Sequence, residues 1–202
     1  MKEYTNDTIY QSLQKYVEIS DGEEEILDVS NVNYDAYSNP VYTENDNKSA
    51  WERAYSAYKK YLKLSDNKAY LFLFGAIYVT TDGFSRFSDN TNSDEKYIGR
   101  GPIRVRWELN YKNVYTNFFC KHKLKDKDIV KHPELADDPY IGSLLSIGWL
   151  VVSTPGKKII EACNTYNYNE LCLRLFGNYN KLQELINSIN GLLKDNNMYT
   201  KK

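Results

Sequence analysis

The sequence predicts a mainly α-helical fold with at most a small β-hairpin. Two apolar stretches, AYLFLFGAIYV at residues 69–79 and DDPYIGSLLSIGWLVVS at residues 137–153, are typical of buried helices. Apolar residues recur at helical spacing in residues 51–62 and again in residues 182–193. The alternation typical of a strand occurs only in residues 102–109. Helices should therefore supply most of the core.

The composition indicates a folded chain with no bulk attraction to polyanions. The chain has 202 residues, of which 42% are hydrophobic, so it can bury one sizeable core. Its formal net charge of −1 argues against nucleic acid or an anionic membrane as a partner. No stretch reaches the roughly 18 apolar residues of a membrane span, and no signal peptide is visible. We expect a soluble protein, cytoplasmic or, if a leader was removed, part of a particle or wall.

The chain divides into three predicted parts. Residues 1–49 hold an N-terminal helix and then a long polar loop from residue 28, with Ile9, Leu13 and Val17 on the apolar face of that helix. Residues 50–195 form a helical domain on which the first part packs. Residues 196–202 form a polar tail.

Three helix boundaries can be read within the helical domain. Asp137 or Asp138 is the expected cap of the second buried helix, since both precede Pro139. A short helix over residues 168–176 is expected to stop at Gly177.

Cysteine and histidine form no pattern typical of a metal site. The cysteines are Cys120, Cys163 and Cys172, an odd number without short paired spacing, so buried thiols are favoured over a Cys163–Cys172 bridge. His122 and His132 are separated from each other and are expected to face solvent or lie in turns. We predict neither a metal nor a cofactor.

The stretch EKYIGRGPIRVRWELNY, residues 95–111, combines a Gly-Arg-Gly-Pro turn with arginines and a tryptophan. On a strand, Arg104 and Arg106 would share one face, and Val105 and Trp107 the other. Core packing beside Val105 is the favoured role for Trp107. The arginines either pair with a carboxylate such as Glu108, Asp94 or Glu95, or bind an anionic ligand.

This stretch, followed by HPELADDPYIGSLLSIGWLVVST, resembles glycoside hydrolase family 19, the chitinases and related phage endolysins. FLFGAIYVTTDGF, residues 72–84, is similar to the family's helix end that carries a His-Glu-Thr motif. RLFGNYNKLQE, residues 174–184, is similar to a later family segment. The resemblance covers residues 50 to 193, roughly, and implies the lysozyme-like, mainly α-helical fold of these chitinases.

The resemblance places the family's general acid at Val79, which cannot transfer a proton. Asp82, three residues later, is the nearby substitute. The base lies between the acid and the Gly-Arg-Gly-Pro turn in that family, so Asp89, Asp94 and Glu95 are its candidates. A solvated loop is the favoured role for these three.

Positions that contact sugar in the family have mostly changed. Its glutamine and serine after the turn match Arg104 and Arg106, whereas Asn110 is kept next to Tyr111. These four residues and Trp107 are the candidate ligand-binding residues.

Three functions follow from the resemblance. The favoured one is a catalytically inactive chitinase-like protein that serves as a structural or interaction module, with other proteins of an assembly or a polysaccharide-rich layer as its partners. The second is an active inverting chitinase or peptidoglycan-cleaving endolysin with Asp82 as displaced acid and Phe84 or Phe87 as its apolar neighbours. The third is a module that binds chitin-like glycan without cleaving it.

Overall fold

The structure, a computed structural model, describes residues 42–89 and 95–198. The prediction of a mainly helical fold is confirmed, since these residues form helices and no strand. The predicted N-terminal helix and the candidate base Asp94 lie outside the described residues. The α-helices are α1 (Glu44–Leu62), α2 (Asn67–Thr80), α3 (Glu108–Asn117), α4 (Pro139–Val152), α5 (Thr154–Asn164), α6 (Tyr168–Phe176) and α7 (Leu182–Asp195); short 3₁₀ helices span Phe119–Lys121 and Pro133–Asp137.

Helix α1 begins earlier than the sequence pattern predicts. The Thr43 hydroxyl accepts a hydrogen bond from the Asp46 N–H at 3.2 Å, and the Asp46 carboxylate accepts one from the Thr43 N–H at 2.8 Å. This reciprocal capping box starts the helix at Glu44. The prediction of a polar loop up to residue 49 is therefore wrong for residues 44–49.

Helices α2 and α4 form the centre of the core, as predicted. Asp66 caps α2, in which every residue from Ala69 to Ile77 is buried. Asp138, one of the two expected caps, accepts from the N–H groups of Tyr140 and Ile141 at 3.0 and 2.9 Å and so begins α4.

The remaining helices pack around this pair. Helix α4 contacts α1, α3 and α5, whereas α2 contacts α7, α5 and α6. Gly75 lets α7 approach α2 closely, because a Cβ there would lie 2.7 Å from Ile189 Cγ1. The apolar face of α1 places Trp51 and Ala54 in the core with no exposed surface.

Residues 102–109 do not form the predicted strand. Single antiparallel bridges join Arg100 to Ser88 and Arg100 to Val105. A turn lies between Arg100 and Val105. Arg104 has φ +54° and Trp107 has φ +69°, so the backbone leaves the extended region at both residues. Helix α3 then begins at Glu108. Helices α3 and α5 are not among the predicted elements.

Candidate functional site

The Gly-Arg-Gly-Pro turn rests directly on the backbone of α4. Gly101 has φ +75°, and a Cβ on it would collide with the carbonyl oxygen of Gly142 and the hydroxyl of Ser146. A Cβ on Gly142 would lie 2.7 Å from the Ala136 carbonyl oxygen and 3.2 Å from the Gly101 Cα. Both positions therefore require glycine, since turn and helix meet main chain to main chain.

Arg100, which directly precedes the tight turn at residues 101–104, is buried. Its Nε donates to Asp137 Oδ1 at 2.9 Å and its Nη1 to the Lys96 carbonyl oxygen at 3.1 Å. The Ser88 hydroxyl donates to the same Asp137 oxygen at 2.8 Å. Burial works to lower the pKa of Arg100, but Tyr111 and Asp137 outweigh it, so the pKa is raised. Arg100 and Asp137 hold the turn against the start of α4, a role that the sequence did not predict for Arg100.

Three side chains meet beside the turn and form what we call the Asp89 clamp: Asp89, Arg104 and Arg106. Arg104 Nη1 lies 2.9 Å from Asp89 Oδ1, and Arg106 Nη2 lies 2.5 Å from Asp89 Oδ2. The Gly99 N–H donates to Asp89 Oδ2 at 3.0 Å. One candidate base is thus held by two guanidinium groups and a backbone donor.

The arginines pair with Asp89, which is not one of the carboxylates that the sequence suggests as their partners. Glu108 pairs instead with Lys112 at 2.8 Å, and Glu95 is exposed. Burial lowers the pKa of Arg104, although the attraction of Asp89 opposes this shift. An arginine pKa starts so high that Arg104 stays charged at neutral pH.

The two residues considered for the general acid lie in different surroundings. Val79, near the end of α2, is 6% exposed and belongs to the core. Asp82 lies in the turn after α2 with φ +53°, and its side chain is 75% exposed and 3.3 Å from Arg86 Nη2. Phe84 and Phe87 are buried, but they do not enclose a side chain that faces solvent to this extent.

The candidate ligand-binding residues on α3 do not form one surface. Tyr111 has no exposed area, and its hydroxyl donates to the Ile98 carbonyl oxygen at 3.1 Å. Burial raises the pKa of Tyr111 to about 12. Asn110 is half-buried, and its Nδ2 donates to the Arg106 carbonyl oxygen at 2.7 Å. Trp107 is 71% exposed, so the expectation that it packs in the core beside Val105 is wrong.

The cysteines and histidines offer no second site. Cys163 and Cys172 are unpaired and buried, and Cys120 is exposed. His132 is exposed, as expected, whereas His122 packs partly buried against Phe118. Among residues 42–89 and 95–198, no group of His, Cys, Asp and Glu side chains could hold a metal ion, and no helix is long and apolar enough to cross a membrane.

No protein-family model matches the chain, and no curated protein is significantly similar to it in sequence.

Comparison with solved structures finds chitinases of similar fold. Chitinase C from Streptomyces griseus HUT6037 is 19% identical with a TM-score of 0.54, over 84% of this chain and 90% of that one. A chitinase C point mutant is 18% identical, with the same TM-score and coverage. A bacterial family 19 chitinase is 15% identical with a TM-score of 0.55, over 73% of this chain and 84% of that one. The resemblance noted in the sequence is thus confirmed at the level of structure: this chain has the fold of the family 19 chitinases.

Proposed function

We propose that this chain is a chitinase-like domain that does not hydrolyse glycans and that serves as a structural or interaction module, in an assembly or on a polysaccharide-rich layer. The observation on which this depends is Val79, an apolar core residue at the position where the resemblance places the general acid. Glycoside hydrolysis of this type needs one carboxylic acid to protonate the leaving oxygen and one carboxylate to activate water. Valine supplies neither function.

The Asp89 clamp supports the same proposal, because it engages the candidate general base. A general base must have a free lone pair directed at the attacking water. Asp89 Oδ2 accepts from the Gly99 N–H and pairs with Arg106, and Oδ1 accepts from Arg104, so three of the roughly four lone-pair sites of this carboxylate are occupied.

An active enzyme with Asp82 as displaced acid is the weaker alternative. A general acid has to be protonated at working pH, which in glycosidases is achieved by apolar enclosure. Asp82 is 75% exposed and lies 3.3 Å from the Arg86 guanidinium, so that apolar enclosure is absent around it.

A glycan-binding module without cleavage is the second candidate, and the exposure of Trp107 favours it. An exposed indole can stack on a sugar ring. Against this candidate, Tyr111 is buried and the Asn110 amide donates to backbone, so two of the expected contacts are engaged inside the protein.

The decisive experiment is a hydrolysis assay with chitin oligomers and with peptidoglycan, read as newly formed reducing ends. We expect no product from the unchanged chain. The matched variants are Asp82→Asn and Asp126→Asn, since Asp126 is an exposed aspartate paired with a neighbouring cation, Lys127, at 3.2 Å. Turnover by the unchanged chain that is lost in Asp82→Asn but kept in Asp126→Asn would contradict the proposal and identify the displaced acid.

A further inference from the structure

The net charge of this chain is the average of two oppositely charged parts. Residues 1–41 hold nine acidic and two basic residues, a formal charge of −7, and residues 42–202 hold 18 acidic and 24 basic residues, a formal charge of +6. Within the first part, residues 18–28 contain six carboxylates and no basic residue: Glu18, Asp21, Glu23, Glu24, Glu25 and Asp28. We call residues 18–28, which lie outside the described residues, the acidic segment. This segregation of charge favours attraction between the two parts.

Five exposed lysines of the second part form what we call the lysine patch: Lys59, Lys60 and Lys63 at the end of α1, and Lys121 and Lys123 on either side of His122. Lys59 and Lys60 precede Lys63 by four and three residues, which is the spacing of neighbours on a helix surface. No acidic residue occurs in residues 53–65 or 109–125. None of the five lysines forms an ion pair with a carboxylate in residues 42–89 or 95–198.

Contacts of the His122 ring hold the two halves of the lysine patch on one surface. The centroid of this ring lies 4.3 Å from that of Tyr61 on α1 and 5.8 Å from that of Tyr58. Burial lowers the pKa of His122, and the charges of Lys60 and Lys121 lower it further, so both ammonium groups act on the same ring. The end of α1 and residues 121–123 therefore present one positively charged surface.

The length of chain before α1 allows the acidic segment to reach the lysine patch. Tyr42 lies beside the start of α4, where its hydroxyl donates to Asp138 Oδ2 at 3.4 Å. Helix α1 has 19 residues and is about 28 Å long, and the lysine patch lies at its far end. The 17 residues from Glu25 to Val41 can extend over about 55 Å, and a random coil of that length has an r.m.s. span of about 20–25 Å. A linker whose span matches the separation of two sites gives a high effective concentration.

We propose that the acidic segment binds the lysine patch of its own chain. The carboxylates of residues 18–28 face the ammonium groups at the end of α1 and beside His122, and the bound segment shields them from other anions. The chain's own segment is favoured over an external polyanion, because it is tethered at high local concentration and gives the chain a negative net charge. This contact goes beyond the proposed function, since it depends neither on glycan nor on a partner protein.

The test uses Cys120 as the site of a reporter beside the lysine patch. Cys120 is exposed and directly precedes Lys121, whereas Cys163 and Cys172 are buried. A nitroxide spin label on Cys120 of the full, ¹⁵N-labelled chain should attenuate the amide NMR signals of the acidic segment at low salt. The signals should recover when the salt concentration is raised to about 1 M, where the screening length falls to about 3 Å.

Matched variants locate the contact. The patch variant combines Lys60→Gln, Lys121→Gln and Lys123→Gln, and its attenuation should be lost. The control variant combines Lys157→Gln, Lys158→Gln and Lys194→Gln, which remove the same charge from exposed lysines of α5 and α7, and its attenuation should be unchanged. Urea unfolding verifies that both are folded. A third variant, with Glu23→Gln, Glu24→Gln and Glu25→Gln, leaves the described residues intact and should also lose most of the attenuation.

Other outcomes would overturn the inference. These are no attenuation at low salt, attenuation that persists in the patch variant, or equal losses in the patch and control variants. Attenuation in a mixture where spin label and ¹⁵N are on different molecules would assign the acidic segment to the patch of a second copy. Binding of labelled single-stranded DNA by the unchanged chain at about 0.15 M salt, lost in the patch variant, would assign the patch to an external polyanion.

Discussion

Arg100 and Asp137 form an ion pair in which the arginine is almost fully enclosed: its side chain is 7% exposed, against 35% for the aspartate. Removing Arg100 would leave the partly buried Asp137 carboxylate with the Ser88 hydroxyl but without its cation, and would also remove the donor to the Lys96 carbonyl oxygen. We predict that Arg100→Met lowers the free energy of unfolding by about 3 kcal/mol, measured by urea denaturation. Lys181→Met, which breaks an exposed pair with Glu184, should cost less than about 1 kcal/mol. Equal effects of the two substitutions would contradict the structural role of Arg100.

The Asp89 clamp predicts unequal contributions from its two arginines. The Arg104 side chain is 20% exposed and that of Arg106 is 51% exposed, so water screens the second pair more strongly. Double-mutant cycles with Asp89→Asn should give a coupling energy of about 1–3 kcal/mol for Arg104→Gln and below about 1 kcal/mol for Arg106→Gln. The reverse order, or no coupling for Arg104, would show that the clamp does not form in solution.

Two glycines in different surroundings should respond oppositely to alanine. Gly101→Ala places a Cβ against α4 at a positive φ, so we expect a loss of about 3 kcal/mol or more in the free energy of unfolding. Gly191→Ala places a Cβ in open space within α7, where alanine favours the helix, so we expect a gain of about 0.5–1 kcal/mol. Thermal and urea unfolding measure both. A tolerated Gly101→Ala would contradict the contact between the turn and α4.

Tyr111 predicts a loss of stability at high pH. Its pKa is raised to about 12 in the folded protein by burial, above the value of about 10 in the unfolded chain. The contribution of neutral Tyr111 is therefore full below about pH 10 and is lost as the pH rises toward about 12, by at most about 2–3 kcal/mol. Tyr111→Phe should flatten the decline in unfolding free energy over this range.

The comparison variant for this measurement is Tyr55→Phe. Burial also raises the pKa of Tyr55 to about 12, so this variant should flatten the profile in a similar way. Identical pH profiles for the unchanged chain and Tyr111→Phe would mean that Tyr111 is not buried as described.

Restoring a carboxyl group at Val79 should not restore hydrolysis. Val79→Glu buries an ionisable group in the core, so we expect a stability loss of a few kcal/mol and no release of reducing ends, because Asp89 stays within its clamp. Val79→Gln, of similar size but uncharged, separates the effect of charge from that of volume. Turnover in Val79→Glu would show that the rest of the site is intact and would contradict the proposed function.

The sequence predicts the helices that form the core, because their apolar patterns reflect burial directly. Helices α2 and α4 are buried on most sides, and α7 shows clear helical spacing. Their apolar patterns therefore predict buried or amphipathic helices clearly. The early start of α1 could have been found, since Thr43 and Asp46 have the spacing of a capping box. Helix α3 buries only Tyr111 and Val114, too few residues for a clear periodic pattern.

The site was harder to predict because its residues meet through turns. The sequence predicts Arg104 and Arg106 on one face of a strand. They do reach one carboxylate, but through a turn with a positive φ at Arg104. The sequence suggests Asp89 only as a possible base, since nothing in its sequence neighbourhood points to the arginines that follow the turn. The exposure of Trp107 depends on a backbone conformation that propensities would not assign to tryptophan.

The close approach of Gly101 to Gly142 has an evolutionary consequence. Where two backbones touch directly, the spacing between loop and helix does not depend on which side chains surround them. Side chains near this contact can be substituted one at a time while the backbone positions of the turn and the helix stay the same. The shape of this corner of the molecule can therefore persist after the surrounding sequence has diverged.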